Sequence, residues 1–182
     1  MKSNQFLLST YVVAILVLFL LPMSVPGVRI VGIGGDKWTH VALIGGLAIL
    51  LRWKFVGSSH PALRSIVIAT LLAAFVEVAQ IFVAYRSADW RDLVAGIIGS
   101  LLGVSAMHHI LRSPSPEKSV GTIAAALGTV IIACSLLADF GIRRGHHYHH
   151  QHEFGPYQIA GVLLGLLVVA GGVHLYRTRV RP

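Results

Sequence analysis

The stretch ALRSIVIATLLAAFVEVAQIFVAYRSADWRDLVAGIIGSLLGVSAMHHIL (62–111) decides the fold. It contains two long apolar blocks, about Ala62–Ala84 and Leu93–Leu111, on either side of a short connection with four charged residues, Arg86, Asp89, Arg91 and Asp92. Each block is long enough to cross a hydrocarbon core of about 30 Å at about 1.5 Å of rise per residue. A soluble helix of this length would alternate apolar and charged faces. These blocks do not, so lipid is the solvent they are written for.

Working outward, the same pattern recurs. Apolar blocks run about Phe6–Met23 and Trp38–Phe55 before this stretch, and about Val120–Phe140 and Tyr157–Tyr176 after it. The chain of 182 residues is 55% hydrophobic and only 12% charged, against about 25% charged in soluble domains. Six blocks leave no room for a separate soluble domain. The expected fold is therefore all-α, a polytopic transmembrane helix bundle of about six spans. Ser113-Pro114-Ser115-Pro116 divides it into residues 1–112, with four helices, and residues 113–182, with two more.

The first block follows Lys2 and resembles a signal peptide in position. Its apolar stretch is long for one, and Pro22 and Pro26 spoil a small-x-small cleavage site, so it reads as a span. Cleavage would reduce the count to five. Lys and Arg in alternate connections number nine (Lys2, Arg52, Lys54, Arg64, Arg112, Lys118, Arg177, Arg179, Arg181) against six (Arg29, Lys37, Arg86, Arg91, Arg143, Arg144). That excess places both termini in the cytoplasm. The net charge of +8 lies in these short connections, with no extended basic face, which argues against nucleic acid and for anionic lipid headgroups. The lone Cys134 sits inside an apolar block and reads as a packing residue.

Charge at membrane depth is costly and needs a partner, a wet cavity or a function. Asp36, Lys37 and His40 open the second helix, Glu77 and Gln80 lie near the end of the third, and Arg86, Asp89, Arg91 and Asp92 lead into the fourth. With six spans, all three segments reach the extracytoplasmic face. Lys37 and His40 are three apart and share a helical face, as do Glu77 and Gln80. Gly96, Gly99 and Gly103 continue the line of Asp89 and Asp92, so the fourth helix is expected to pack that side closely and direct Asp92 inward. Glu77, about 10 Å below a helix end at Ala84, requires a cation, with Lys37 or Arg86 the nearest by topology. The competing reading is plain construction: salt bridges between helices, with Asp89 or Asp92 capping the fourth.

These residues also carry a resemblance. Asp36-Lys37-x-x-His40, Glu77-x-x-Gln80, then Arg86-x-x-Asp89-x-x-Asp92 and the Gly96, Gly99, Gly103 helix look like the VanZ-like family of bacterial membrane proteins, over about residues 10–112. One departure is Ala95-Gly96, where many relatives carry Asn followed by a variable residue. The resemblance implies a multi-pass protein of the bacterial cytoplasmic (inner) membrane. The family's namesake is associated with resistance to a glycopeptide antibiotic, which implies a place and a set of residues rather than a reaction.

A second polar feature lies outside the resemblance. The connection between the fifth and sixth blocks reads RRGHHYHHQHE (143–153), and His146, His147, His149, His150 and His152 offer imidazoles to a divalent metal. They are contiguous rather than spaced as a closed site requires, so solvated histidines are the competing reading. Small residues mark a face on each of the last two blocks, Gly121, Ala125 and Gly128 on the fifth and Gly161, Gly165 and Gly172 on the sixth, and suit close helix packing within one chain or in a homo-oligomer.

The expected function is binding of an anionic, lipid-linked cell-envelope precursor or similar amphipathic ligand. Asp36, Lys37, His40, Glu77, Gln80, Arg86, Asp89 and Asp92 are the candidate site, with Arg91 adding positive charge. The alternative is an intramembrane enzyme on the same ligand class, with His40 and Glu77 as acid/base candidates and Asp89 and Asp92 as carboxylates or metal ligands. No Gly-x-Ser-x-Gly or HExxH motif is present. A scaffold subunit of a membrane complex is a further alternative. A transporter fits less well, because the polar residues gather at one end rather than at mid-membrane.

Overall fold

A computed structural model describes residues 2–20, 29–30, 33–83, 89–137 and 156–178. Six helices carry these residues: α1 (Lys2–Leu20), α2 (Gly35–Lys54), α3 (Pro61–Ile81), α4 (Trp90–Ile110), α5 (Pro116–Leu137) and α6 (Pro156–Thr178). Between α1 and α2 lies a two-stranded antiparallel ribbon that the sequence did not announce, β1 (Arg29–Ile30) and β2 (Ile33–Gly34), pairing Arg29 with Gly34 and Ile30 with Ile33. The class is all-α, and each helix falls within a few residues of its apolar block.

Among the described residues, three segments are long and apolar enough to cross a membrane: α3, α4 and Ile159–Arg177 of α6. The apolar part of α1, Gln5–Leu20, is shorter. α3 shows why lipid surrounds these helices. Its buried residues are Ser65, Ala69, Ala73, Val76, Glu77 and Gln80, which form one helical stripe of small and polar side chains. Its exposed residues include Leu63, Val67, Leu71, Phe75, Val78 and Phe82. A face that is apolar outside and polar inside is stable only where the surroundings are hydrocarbon.

α2 is the axis of the bundle. Leu43 to Leu51 are buried without interruption, as expected of a helix that is apolar all round and sheathed by others. α4 and α3 pack along it, and α1 and α5 both touch it more lightly. The Tyr11 hydroxyl donates to the Leu43 carbonyl at 3.0 Å and ties α1 to α2. Contact between α2 and α4 is unusually close because Gly99 presents no side chain. A Cβ there would lie 2.5 Å from the Val41 carbonyl oxygen, and one at Gly103 would run into the Gly45 carbonyl. α5 and α6 form a tight pair, with α6 also resting against α1.

Candidate functional site

At one end of the bundle, the first turns of α2, the last turn of α3 and the start of α4 meet. Asp89 caps α4, its carboxylate accepting the Arg91 backbone N–H at 2.9 Å. A residue of this type is favoured there because it satisfies an amide the helix leaves open. One turn later Asp92 points into the bundle, on the same side as the buried Gly96, Gly99 and Gly103. Lys37, entering from α2, donates to both: to Asp89 Oδ2 at 3.1 Å and Asp92 Oδ1 at 2.8 Å.

Below this ion-paired layer lies a second one. His40 Nε2 stands 3.2 Å from Glu77 Oε1, though the approach lies off a hydrogen-bond line. The other Glu77 oxygen, Oε2, accepts the Asp89 backbone N–H at 3.1 Å, so the N-terminus of α4 faces the carboxylate, as its dipole favours. The His40 ring is stacked on Phe19 of α1, with centroids 4.1 Å apart and planes inclined by 23°. Gln80 reaches the same helix, its amide donating to the Phe19 carbonyl at 3.0 Å. Side-chain exposure falls from 34% at Asp89 and 21% at Lys37 to 9% at Asp92 and Glu77 and 3% at His40. The cluster therefore runs inward from an accessible rim to a dry floor.

Hydrogen bonding from the Arg91 amide, and then from the Lys37 ammonium, holds the Asp89 carboxyl below the usual aspartate range. His40, Glu77 and Asp92 each offer one ligand atom within 4.8 Å of the others, a buried group that could hold a metal ion. Chemically, the arrangement offers a cation at the rim, a carboxylate-imidazole pair on the floor, and a helix N-terminus between them.

Of the residues expected to form a site, Lys37, His40, Glu77, Gln80, Asp89 and Asp92 are thus brought together. Asp36 lies in the first turn of α2, its side chain outside the described residues, and Arg86 and the histidines 146, 147, 149, 150 and 152 also lie outside them. Arg91 is exposed, its guanidinium 5.9 Å from the centroid of the Trp90 ring. Of the two cations expected for Glu77, Lys37 is corrected, since its ammonium goes to the two aspartates and Glu77 meets His40, while Arg86 lies outside the described residues. α3 ends at Ile81 rather than Ala84, so Glu77 lies only about 6 Å from its end, level with His40 about one and a half turns into α2. Phe19 escaped sequence reasoning altogether, because nothing distinguishes it there from any other aromatic of an apolar helix.

No curated protein and no solved structure matches the chain. The sequence profile described as VanZ/LLP1 matches residues 8–112, from the second turn of α1 to just past the end of α4, and so takes in every residue of this cluster. With more than half of its length matched, this membrane protein belongs to the VanZ/LLP1 family.

Proposed function

We propose that the chain binds the headgroup of an anionic, amphipathic cell-envelope ligand, such as a lipid-linked precursor, where α2, α3 and α4 meet. In this reading the chain crosses the bacterial inner membrane six times with both termini in the cytoplasm, and the cluster faces outward. The observation that carries it is the graded polar cluster, open at Lys37 and Asp89 and closed at His40. Ionisable groups inside a membrane bundle are functional candidates by default, since their cost is not met by packing. Lys37 supplies positive charge at the rim, and Asp89 and Asp92 hold its ammonium in place until a phosphate or carboxylate competes for it. The exposed apolar faces of α3 and α4 beside the rim suit a lipid tail.

The test is binding of farnesyl phosphate to purified protein in detergent, below the unfolding transition of each variant. Lys37→Ala and Arg86→Ala are expected to weaken binding about tenfold or more, the loss of a charge-assisted contact. Unchanged affinity in both removes the proposal. The His40–Glu77 approach of 3.2 Å favours a second reading, an enzyme on the same ligand class with this pair as acid and base. Turnover of such a lipid by the purified protein, lost in His40→Ala and Glu77→Gln, distinguishes it from binding alone.

A further inference from the structure

The geometry points to a divalent transition-metal site formed by His40, Glu77 and Asp92 on the floor of the cluster, with one coordination position left for an oxygen of the ligand. The inference deepens the binding role proposed above and rests on the same cluster being a ligand site, but the metal can be tested without any lipid.

The first support is the distance between two donors. His40 Nε2 and Glu77 Oε1 are 3.2 Å apart. Two ligand atoms at about 2.0–2.1 Å from a tetrahedral zinc-class ion lie about 3.3 Å from one another. Asp92 brings a third donor, with all three atoms within 4.8 Å.

The second support is Glu77 itself. It is 93% buried, from a relative exposure of 7%, and its Oε1 accepts no hydrogen bond from the described residues. A buried carboxylate oxygen without a donor is costly, and a cation seated between it and the imidazole removes that cost. The rest of the carboxylate is already oriented, Oε2 by the Asp89 amide at 3.1 Å. Lys37 does the same for Asp92 at 2.8 Å, and Phe19 stacks against the His40 ring. Fixing first-layer ligands by such outer contacts is how proteins build metal sites.

Charge gives the third support. Among the described pairs, the Glu77 carboxylate meets only a neutral or protonatable imidazole, while the Lys37 ammonium is shared between Asp89 and Asp92. With a neutral imidazole, as ligation requires, a cation beside Glu77 Oε1 supplies the positive charge that His40 then does not. The donor set selects the metal. One imidazole with two carboxylates suits Zn2+, Co2+ or Mn2+, whereas Ca2+ and Mg2+ take oxygen ligands. Three protein ligands leave a fourth place open, as in sites that bind a water or a phosphoryl oxygen. The metal, flanked by Lys37, would then be the centre that receives the anionic headgroup.

The experiment uses full-length protein in detergent with the five loop histidines, 146, 147, 149, 150 and 152, exchanged for serine, so that they contribute no background. After treatment with a chelator it is titrated with Co2+, followed by visible absorption and by metal content, and then with Zn2+ to displace it. One ion per chain is expected, raising the unfolding temperature. Glu77→Gln and Asp92→Asn should each weaken Co2+ binding by at least about tenfold. Absence of a stoichiometric site, or binding unchanged in both variants, overturns the proposal. Where those variants do not fold, the visible spectrum of Co2+ on the parent decides: the intense bands of a four-coordinate ion are expected, and the weak bands of a six-coordinate, solvated ion overturn the proposal. Farnesyl phosphate is measured separately, with and without chelator. Metal uptake without phosphate binding leaves the metal site and removes the lipid role. Phosphate binding indifferent to the chelator, with no metal uptake, does the reverse.

Discussion

The α2–α4 pair and the α5–α6 pair solve one problem in one way, yet among the described residues only the first carries a buried charged cluster. In both, glycines let backbones approach: Gly99 and Gly103 against Val41 and Gly45, and Gly121 and Gly128 against Gly172 and Gly165. In α5–α6 the buried polar group is Ser135, whose hydroxyl returns to its own helix at the Ile131 carbonyl, 2.7 Å away. That satisfies the hydroxyl without crossing to another helix. Close packing of membrane helices therefore needs small residues and not buried ions. The ions between α2, α3 and α4 exceed what the described part of α5 and α6 uses for the same packing, which favours reading them as a site.

The largest expected effect breaks this comparison at the ions. Lys37→Met leaves Asp92 buried with its ammonium removed. Loss of one partner from a buried pair costs about 3–5 kcal/mol, and the partial exposure of Lys37 places this case at the low end. The double variant Lys37→Met/Asp92→Leu should recover most of the loss, because it removes the charge instead of stranding it. Unfolding temperature in detergent, parent against single and double variants, gives the answer. A single variant as stable as the parent would mean the pair is solvated, and the cluster would lose its claim to be dry.

A smaller effect comes from the shared feature. Gly103→Ala and Gly128→Ala each place a Cβ against backbone, the Gly45 carbonyl in one case and the Gly165 carbonyl oxygen, 2.7 Å away, in the other. Overpacking of this kind costs about 1–3 kcal/mol, partly offset by alanine's advantage in a helix of about 1 kcal/mol. Both variants should melt earlier by similar amounts. Only Gly103→Ala, which pushes α4 from α2, should also weaken farnesyl phosphate binding. Equal loss of binding in both would show that the two pairs are not independent.

The helices were legible because hydropathy at membrane length is a strong signal, and the meeting of three segments followed from alternation of the spans. The inward turn of Asp92 was legible too, since it continues the line of Gly96, Gly99 and Gly103. The partner of Glu77 was not. Lys37 and His40 share a face of α2, so angular position cannot choose between them. Depth does: Lys37 opens α2 beside Asp89 and Asp92, while Glu77 lies level with His40 one turn further in, and the demand for a full cation passed over the imidazole. Phe19 was hidden for a different reason. Its place over His40 depends on how α1 lies across α2, and a continuous apolar helix carries no periodic mark of the face it presents.

The smallest expected effect separates the rim of the cluster from its floor by pH. Folding favours the ionised form of Asp89, because the Arg91 amide and then Lys37 lower its pKa. A group depressed in the folded state contributes stability above its unfolded range, and that contribution fades as pH falls through the folded value. The unfolding temperatures of the parent and Asp89→Asn should therefore differ most near neutrality and converge as pH drops below the ordinary aspartate value of about 3.9. Ser135→Ala, in the uncharged pair, should show a difference independent of pH. Because the Asp89 carboxylate is a third exposed, added salt should weaken its attraction to Lys37 while leaving the short bond to the Arg91 amide at 2.9 Å. The parent–variant gap should shrink with salt without closing. A gap that vanished in salt would assign Asp89 to the ion pair alone, and one unmoved by salt would assign it to the helix cap, leaving Asp92 as the carboxylate that holds Lys37.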